Sequence, residues 1–236
     1  MPTDFSEAPE FRGVVALDGP SGTGKSTVAR LLARRLHAQY LDTGAMYRAA
    51  TVAVLRAGVD LNDPAAVAAE VATSRIDVGT DPEHRSTRLN GTDVEREIRT
   101  AATTAAVSAV SAVPDVRTQL VAQQRLIIGR APTVAEGRDI GSVVWPDAEL
   151  KVYLTAREDV RARRRAGELG SLHSDDVDRI AQSLRRRDAF DSSRAASPLR
   201  RPDGATEVDT SDLAIDEVVE LLAELAFRAI SAADRA

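Results

Sequence analysis

One segment near the amino terminus, Gly19-Pro-Ser-Gly-Thr-Gly24-Lys25-Ser26, has the residue types and the spacing of a phosphate-binding loop. Glycine allows backbone N–H groups to approach phosphate oxygens closely, and the lysine adds a positive charge that reaches the β and γ phosphates. The Ser26 hydroxyl suits a Mg²⁺ ion that bridges the same phosphates. Binding of a nucleoside triphosphate is therefore predicted for Gly19, Pro20, Ser21, Gly22, Thr23, Gly24, Lys25, Ser26 and Thr27.

The sequence around this loop predicts the strand and the helix that must hold it. An apolar run at residues 14–17 precedes the loop, and apolar residues recur at helical spacing over residues 26–36. Short apolar runs at residues 133–135, 150–154 and 206–208 are separated by helical patterns, as in parallel βαβ units. We therefore predict a three-layer α/β domain with a central parallel sheet between two layers of helices.

The pattern changes between residues 60 and 97, where short strands are predicted at residues 75–78 and 87–94 around the turn signal Asn90-Gly91. This predicts a small inserted β-rich subdomain. Helical patterns return at residues 101–112, 116–128 and 215–230. The predicted organisation is a disordered tail at residues 1–11, a core at residues 12–59 and 98–236, and the inserted subdomain at residues 60–97.

Composition excludes several classes of function. The 236 residues include no cysteine, which excludes disulfides, zinc–thiolate sites and cysteine nucleophiles. A net charge of -5 argues against broad nucleic-acid binding, and no apolar run approaches the roughly 20 residues of a membrane-spanning helix. His37, His84 and His173 lack metal-ligand spacing. These features predict a cytoplasmic chain that binds no nucleic acid, no membrane and no metal other than Mg²⁺.

Positive charge is concentrated in arginines at residues 157–165 and 179–201, which suits a small phosphorylated ligand. A guanine-binding switch is disfavoured because Lys151, the only lysine besides Lys25, is not followed by the aspartate of a guanine-reading segment. A phosphorylating enzyme instead needs arginines around a second anion and a lid that excludes water. The arginine clusters supply candidates for both.

Five further segments occur in an order that is typical of one enzyme family. They are Asp42-Thr-Gly-Ala-Met-Tyr-Arg48, Glu97-Ile-Arg-Thr100, Glu136-Gly-Arg-Asp-Ile-Gly141, Pro146-Asp-Ala148, and Arg187-Asp188 with Asp191 and Arg194. Together with the phosphate loop, this set resembles the bacterial cytidylate kinases over residues 12–225. The resemblance implies a monomeric enzyme of pyrimidine nucleotide metabolism that transfers the γ-phosphoryl group of ATP to CMP or dCMP with Mg²⁺.

The resemblance also implies roles for individual residues. Catalytic roles are expected for Lys25, Arg48, Arg138 and Arg164, with Arg48 and Arg138 on the acceptor phosphate. An arginine-rich lid at about residues 157–176 is expected to bring Arg161, Arg164 and Arg165 onto ATP. The residues expected to bind CMP are Thr43, Gly44, Tyr47, Arg48, Ser108, Arg117, Arg138, Asp139, Arg187, Asp191 and Arg194. In this set, the base contacts correspond to Ser108, Arg117, Asp139 and Arg194, and the ribose contacts to Arg187 and Asp191.

The chemistry of this reaction gives two further expectations. No general base is required, because a phosphate monoester with a second pKa of about 6 is already largely ionised near neutral pH. UMP should be disfavoured, because uracil would place a hydrogen-bond acceptor opposite the carboxylate of Asp139.

Other interpretations remain open from sequence alone. Arg138 and Asp139 could form a surface ion pair, Tyr47 could serve only the core, and residues 157–165 could form a solvated helix face. A thymidylate or shikimate kinase would share the phosphate loop but should lack the other segments. A nucleotide-binding switch would bind ATP without phosphorylating an acceptor.

Overall fold

The computed structural model describes residues 11–168, 170, 173–194 and 196–233. Residues 1–10 of the predicted tail lie outside the described residues, as do residues 169, 171 and 172 of the predicted lid. Phe11, the last residue of the predicted tail, is 2% exposed and belongs to the same buried cluster as Val15 and Leu36. The predicted tail boundary is therefore wrong by one residue, because burial of a phenyl ring fixes the chain just before the first strand.

The central sheet consists of β1 (Val14–Asp18), β2 (Gln39–Asp42), β6 (Thr133–Gly137), β7 (Leu150–Thr155) and β8 (Thr206–Asp209). These strands are parallel and lie in the order β2-β6-β1-β7-β8. The central strands β1 and β6 are buried along their whole length, as expected for strands that are covered by helices on both faces. The predicted parallel sheet is confirmed.

The described residues contain eight α-helices, whose bounds are α1 Lys25–Arg35, α2 Thr43–Arg56, α3 Pro64–Thr73, α4 Ala101–Ala112, α5 Pro114–Ile128, α6 Glu158–Glu168, α7 Ser174–Ser193 and α8 Ile215–Ala233. A 3₁₀ turn at Glu97–Arg99 precedes α4, and a π-helical turn at Ile140–Val144 follows β6. α5 begins before the predicted residue 116, because proline is favoured in the first turn, where its missing N–H costs nothing. None of these helices combines the length and the apolar character that crossing a membrane requires.

Helices cover both faces of the sheet. On one face, Leu32 of α1 and Leu222 of α8 join the sheet residues in one buried cluster. On the other face, a second cluster includes Met46 of α2, Val110 of α4 and Leu120 of α5. The predicted three-layer α/β fold is confirmed.

A second, antiparallel sheet lies in the predicted insertion and consists of β3 (Ile76–Val78), β4 (Thr87–Leu89) and β5 (Thr92–Asp93). Asn90 (φ 51°) and Gly91 (φ 80°) form the predicted hairpin turn, with both residues in the left-handed region. Leu89 belongs to the same buried cluster as Met46 of α2, so the insertion packs onto the core. Its predicted role in nucleotide binding stays a prediction.

Candidate active site

The phosphate loop, residues 19–27, lies at the carboxyl end of β1 and leads into α1, as predicted. Gly19 has φ 146°, and a Cβ atom there would lie 2.2 Å from the carbonyl oxygen of Leu154, so only glycine fits. Gly24 (φ 88°) immediately precedes α1, and the amino end of the helix therefore faces the loop. This geometry is that of an anion-binding loop at a helix amino terminus.

Lys25 is the buried cation of the loop, with 6% of its surface exposed. Its Nζ atom donates to the carbonyl oxygen of Pro20 at 2.6 Å and lies 3.5 Å from the hydroxyl of Thr23. Burial lowers the pKa of Lys25, and the positive charge of Arg138 lowers it further. A phosphate chain bound in the loop would therefore stabilise the charged ammonium group.

Glu136 faces the loop from β6, the strand next to β1. Its Oε2 atom accepts a hydrogen bond from Ser26 Oγ at 3.0 Å, and its Oε1 atom accepts one from the Tyr40 hydroxyl at 2.6 Å. Burial raises the pKa of Glu136, and the nearby carboxylate of Asp42 raises it further. Neither Glu136 nor Tyr40 is among the predicted site residues, although the position of Glu136 at the start of residues 136–141 is a usable signal.

Arg138 links the phosphate loop to α7. Its Nη2 atom donates to Ser21 Oγ at 2.6 Å, and its Nε atom donates to Asp191 Oδ2 at 3.1 Å. Asp191 is 3% exposed, and its Oδ1 atom lies 3.2 Å from Nη2 of Arg194. The alternative of a surface ion pair between Arg138 and Asp139 is therefore wrong, because Arg138 pairs with Asp191.

Asp139 forms a buried ion pair with Arg117 of α5, and each side chain is 6% exposed. The Arg117 guanidinium also lies over the ring of Tyr47, 5.3 Å from the ring centroid. Nη1 of Arg117 donates to the carbonyl oxygen of Ser111 at 3.2 Å, and the Ser111 hydroxyl lies 3.4 Å from Nη1 of Arg194. Ser111 thus joins two arginines that the sequence predicts at the base, and it carries no motif that would have identified it.

Tyr47 is a buried core residue that also contacts Arg117 of the site. It belongs to the buried cluster around α2, and burial raises the pKa of its hydroxyl to about 12, so the hydroxyl is neutral. At the start of α2, Thr43 Oγ1 donates to the carbonyl oxygen of Glu136 at 2.7 Å, and Gly44 is exposed beside it. Ser108 is half-buried on α4. The structure therefore gathers Thr43, Tyr47, Arg117, Asp139 and Arg194, with Ser108 on the adjacent helix.

Arg48, Arg138 and Arg187 form a cationic cluster in which the charge of Arg138 acts on both of the other arginines. Nη1 of Arg48 donates to the carbonyl oxygen of Ile98 and to Thr104 Oγ1, both at 2.9 Å. Burial lowers the pKa of Arg48 to about 10 and that of Arg187 to about 9, and Arg138 contributes to both shifts. The Nε atom of Arg187 is buried and has no hydrogen-bond partner in the described part of the chain. Such a cluster of partly desolvated cations is typical of an anion site.

Two arginines of the predicted lid pack against the phosphate loop. Arg161 pairs with Asp188 of α7 and donates to the carbonyl oxygen of Ser21 at 3.1 Å. Arg164 donates to the carbonyl oxygen of Thr23 in the loop at 3.4 Å, and to the hydroxyl and carbonyl oxygens of Thr210 at 2.9 Å and 2.6 Å. The interpretation of this helix as a solvated face is therefore wrong for these two side chains, whereas their predicted contact with donor phosphates stays a prediction.

Arg163 and Arg165, which also lie on α6, have other partners than Arg161 and Arg164. Arg163 is 68% exposed and forms an ion pair with Asp159 one turn earlier, as a solvated helix face requires. Arg165 pairs with Glu168 at 2.6 Å, and its charge also lowers the pKa of Arg48. Arg165 is thus the lid arginine whose charge acts most strongly on Arg48.

Comparison with known proteins agrees with this geometry. The family model described as cytidylate kinase matches residues 15–228. The chain is 57% identical over 208 residues to a cytidylate kinase of Rhodococcus jostii strain RHA1, a match that covers 87% of this chain and 91% of the relative. It is 54% identical over 220 residues to a cytidylate kinase of Nocardia farcinica strain IFM 10152, which covers 92% of this chain and 95% of the relative.

Among solved structures, a gluconokinase from Sinorhizobium meliloti 1021 aligns over 97% of this chain and 99% of its own, with a TM-score of 0.53 and 17% identity. At this identity the likeness shows the fold alone. The family model, by contrast, spans most of the chain, and both relatives are matched over nearly their whole length. The chain therefore belongs to the cytidylate kinase family.

Proposed function

We propose that this chain transfers the γ-phosphoryl group of ATP to CMP or dCMP, with release of ADP and CDP or dCDP. The observation that carries the proposal is a second cationic site beside the phosphate loop, formed by Arg48, Arg138 and Arg187. Arg138 donates to Ser21 of the loop at 2.6 Å, and the buried Nε atom of Arg187 has no hydrogen-bond partner in the described part of the chain. A loop for one phosphate chain next to a pocket for a second anion suits a kinase whose acceptor is itself a phosphate. The names of the relatives support cytidine as the acceptor nucleoside.

In this reaction an oxygen of the acceptor phosphate attacks the γ-phosphorus of ATP, and the bond from that phosphorus to the β–γ bridging oxygen breaks. The attacking oxygen is largely ionised near neutral pH, since the second pKa of a phosphate monoester is about 6, so no proton needs to be removed. Arg48 and Arg138 would hold the acceptor phosphate while Lys25 faces the donor phosphates. Arg138 donates to Ser21 of the phosphate loop at 2.6 Å, so the two anion sites adjoin, which favours in-line alignment.

The residues beside the loop fit a Mg²⁺ ion that is bound together with ATP. The Ser26 hydroxyl donates a hydrogen bond to Glu136 at 3.0 Å, and the lone pairs of the serine oxygen can therefore bind a metal ion. Carboxylate and hydroxyl oxygens are ligands that Mg²⁺ prefers, so Ser26 and Glu136 would hold it. When bound, Mg²⁺ offsets negative charge on the β and γ phosphates.

Tyr40→Phe is expected to raise the Mg²⁺ concentration needed for half-maximal activity by about tenfold, because metal sites lose affinity when a supporting hydrogen bond is removed. The Tyr40 hydroxyl donates to Glu136 at 2.6 Å, and within the described residues it and Ser26 are the two side-chain donors to this carboxylate. Titration of Mg²⁺ at constant ATP measures the effect, and Mn²⁺ paramagnetic resonance in the presence of ATP reports metal binding without turnover.

The matched control for this variant is Tyr153→Phe, which removes the hydroxyl of a half-buried tyrosine on β7. It should leave the Mg²⁺ dependence unchanged. An unaltered Mg²⁺ titration for Tyr40→Phe, with normal Mn²⁺ binding, would contradict the assignment of Glu136 to the metal.

Cytosine presents an amino donor beside two acceptors, so a pocket that reads it needs a carboxylate next to hydrogen-bond donors. Asp139 would accept from the amino group, and Arg117 and Arg194 would donate to the acceptors. The buried Arg117–Asp139 pair and the shared contact of both arginines with Ser111 support this reading, because they fix these groups before a ligand arrives. Arg187 and Asp191 would lie towards the ribose and the acceptor phosphate.

A panel of acceptors tests the proposed function directly. Purified protein with ATP and Mg²⁺ is offered CMP, dCMP, UMP, dTMP, AMP, GMP or shikimate in an assay of ADP release, with a control that lacks any acceptor. We expect kcat/KM for CMP or dCMP to exceed the values for all other acceptors by at least about tenfold. A kcat/KM for another acceptor equal to or above that for CMP and dCMP, or ATP binding without turnover of any acceptor, would overturn the proposal.

We also propose that the chain acts as a monomer in the cytoplasm on small nucleotides, without nucleic acid or membrane partners. The contact of Arg138 with Ser21 joins the acceptor site to the phosphate loop within one copy of the chain, which favours catalysis by a monomer.

A further inference from the structure

Asp18, the last residue of β1, is a fully buried carboxylate that the proposed reaction does not use directly. Its Oδ1 atom accepts a hydrogen bond from the backbone N–H of Ile140 at 2.8 Å, and its Oδ2 atom accepts one from Gly141 at 2.8 Å. Both oxygens are therefore directed at consecutive amides of another element. Gly19 of the phosphate loop follows Asp18 in the chain.

A carboxylate in this position is costly, because burial disfavours its charged form. The pKa of Asp18 is raised to about 6, chiefly by burial and in part by the nearby carboxylate of Asp139. The amides of Gly141 and Ile140 and the charge of Lys25 act in the opposite direction. The two hydrogen bonds from Ile140 and Gly141 therefore offset part of the cost of burying this carboxylate.

The two hydrogen bonds of Asp18 fix the carboxyl end of the short segment 138–139, and the β1–β6 pairing fixes its amino end. Gly137, the last residue of β6, is the register partner of Asp18 in the β1–β6 pair. Ile140 and Gly141 begin the π-helical turn and are bound by the Asp18 carboxylate. Only Arg138 and Asp139 lie between Gly137, which pairs with Asp18 in the sheet, and Ile140, whose amide donates to the Asp18 carboxylate.

We propose that Asp18 is a positioning residue, which fixes Arg138 and Asp139 for the acceptor nucleotide and ties them to the strand that carries the phosphate loop. This inference rests on the proposed function, since it assigns Arg138 to the acceptor phosphate and Asp139 to the base. A displacement of the amides of Ile140 and Gly141 would shift both side chains together. Arg138 would then lose its alignment with Ser21 and Asp191, which it contacts at 2.6 Å and 3.1 Å.

Asp18→Asn tests the inference, because it keeps the shape of the side chain but turns an NH₂ group towards one of the two backbone amides. We expect the dissociation constant of CMP to rise by about tenfold and kcat to fall by about tenfold, since small displacements of aligned groups are costly. The dissociation constant of ATP should stay within about twofold, because the loop itself is intact. Calorimetry with each nucleotide alone and steady-state kinetics give these values.

Thr133→Val is the matched control. Thr133 is also fully buried, but it lies at the amino end of β6, where its hydroxyl donates to the carbonyl oxygen of Ala131 at 2.7 Å. Loss of this hydroxyl should lower thermal stability without a change in CMP affinity. The comparison separates a general loss of stability from a specific loss of acceptor binding.

Equal weakening of CMP and ATP binding, or a loss of thermal stability alone, would overturn the positioning role. If Asp18→Asn does not fold, Asp18→Glu provides the same test, because it keeps the charge but moves the carboxylate by one methylene. Wild-type affinity for CMP in Asp18→Glu, with wild-type kcat, would likewise overturn it. Failure of the wild-type protein to bind CMP would refute the proposed function instead.

Discussion

Replacement of Lys25 by methionine is expected to lower kcat/KM for CMP phosphorylation by about 10³-fold, equivalent to about 4 kcal/mol of transition-state stabilisation. Lys25 is one of two lysines in the chain, and its Nζ atom lies inside the phosphate loop, 2.6 Å from the carbonyl oxygen of Pro20. Negative charge moves onto the β–γ bridging oxygen as the bond breaks, and an adjacent ammonium group stabilises that charge. Methionine fills similar space without the charge.

The loss should appear mainly in kcat and in the affinity for ATP. Affinity for CMP, measured by calorimetry without ATP, should change by less than about threefold, because the acceptor site uses other residues. Lys151→Met is the matched control, since Lys151 lies on β7 with its Nζ atom 3.4 Å from the carbonyl oxygen of Asp203. A Lys25→Met enzyme with more than a tenth of wild-type kcat/KM would contradict the assigned role.

The phosphate loop could be predicted from sequence because its signal is contiguous. Glycines, lysine and serine stand in one short segment, and the strand and helix that hold it flank it directly. The hairpin at Asn90-Gly91 follows from the same kind of local chemistry, since both residues adopt positive φ readily. By contrast, β2 escapes prediction because four residues with two consecutive buried side chains, Tyr40 and Leu41, are too short to give a strand pattern.

The contacts that complete the site are not local and therefore could not be predicted in the same way. Tyr40 and Glu136 are 96 residues apart in the chain, and Asp18 and Gly141 are 123 residues apart. The sequence neighbours Arg138 and Asp139 suggest an ion pair with each other, but adjacent side chains after a strand point in different directions. Their partners, Asp191 and Arg117, come from two different helices, and only the fold brings them together.

Asp139→Asn is expected to lower kcat/KM for CMP by about 10²-fold, because a hydrogen bond to a charged group contributes about 1.5–3 kcal/mol and the pair with Arg117 is disrupted as well. The same change should narrow the preference for CMP over UMP by at least about tenfold, since an amide can turn its NH₂ group towards the uracil carbonyl. Steady-state kinetics with both acceptors, together with the affinity for ATP, measure these effects. Affinity for ATP should not change.

Loss of stability must be separated from loss of recognition in this variant. Asp139 and Arg117 are each 6% exposed, and removal of one partner from a buried ion pair commonly costs about 3–5 kcal/mol. Glu207→Gln is the exposed control, since Glu207 is 47% exposed in its pair with Arg201 and such pairs contribute only about 0–1 kcal/mol. It should alter neither stability nor the choice of acceptor.

The combined variant Arg117→Met with Asp139→Leu separates loss of recognition from loss of stability more clearly. Replacement of a whole buried ion pair by apolar side chains is often neutral for stability. We expect it to unfold near the wild-type temperature and still to show kcat/KM for CMP lowered by at least about 10²-fold. Recovery of CMP phosphorylation together with stability would mean that the pair only supports the fold. In that case the base would be read by other groups, and Arg194 and Ser111, which lie 3.4 Å apart, would be the next to test.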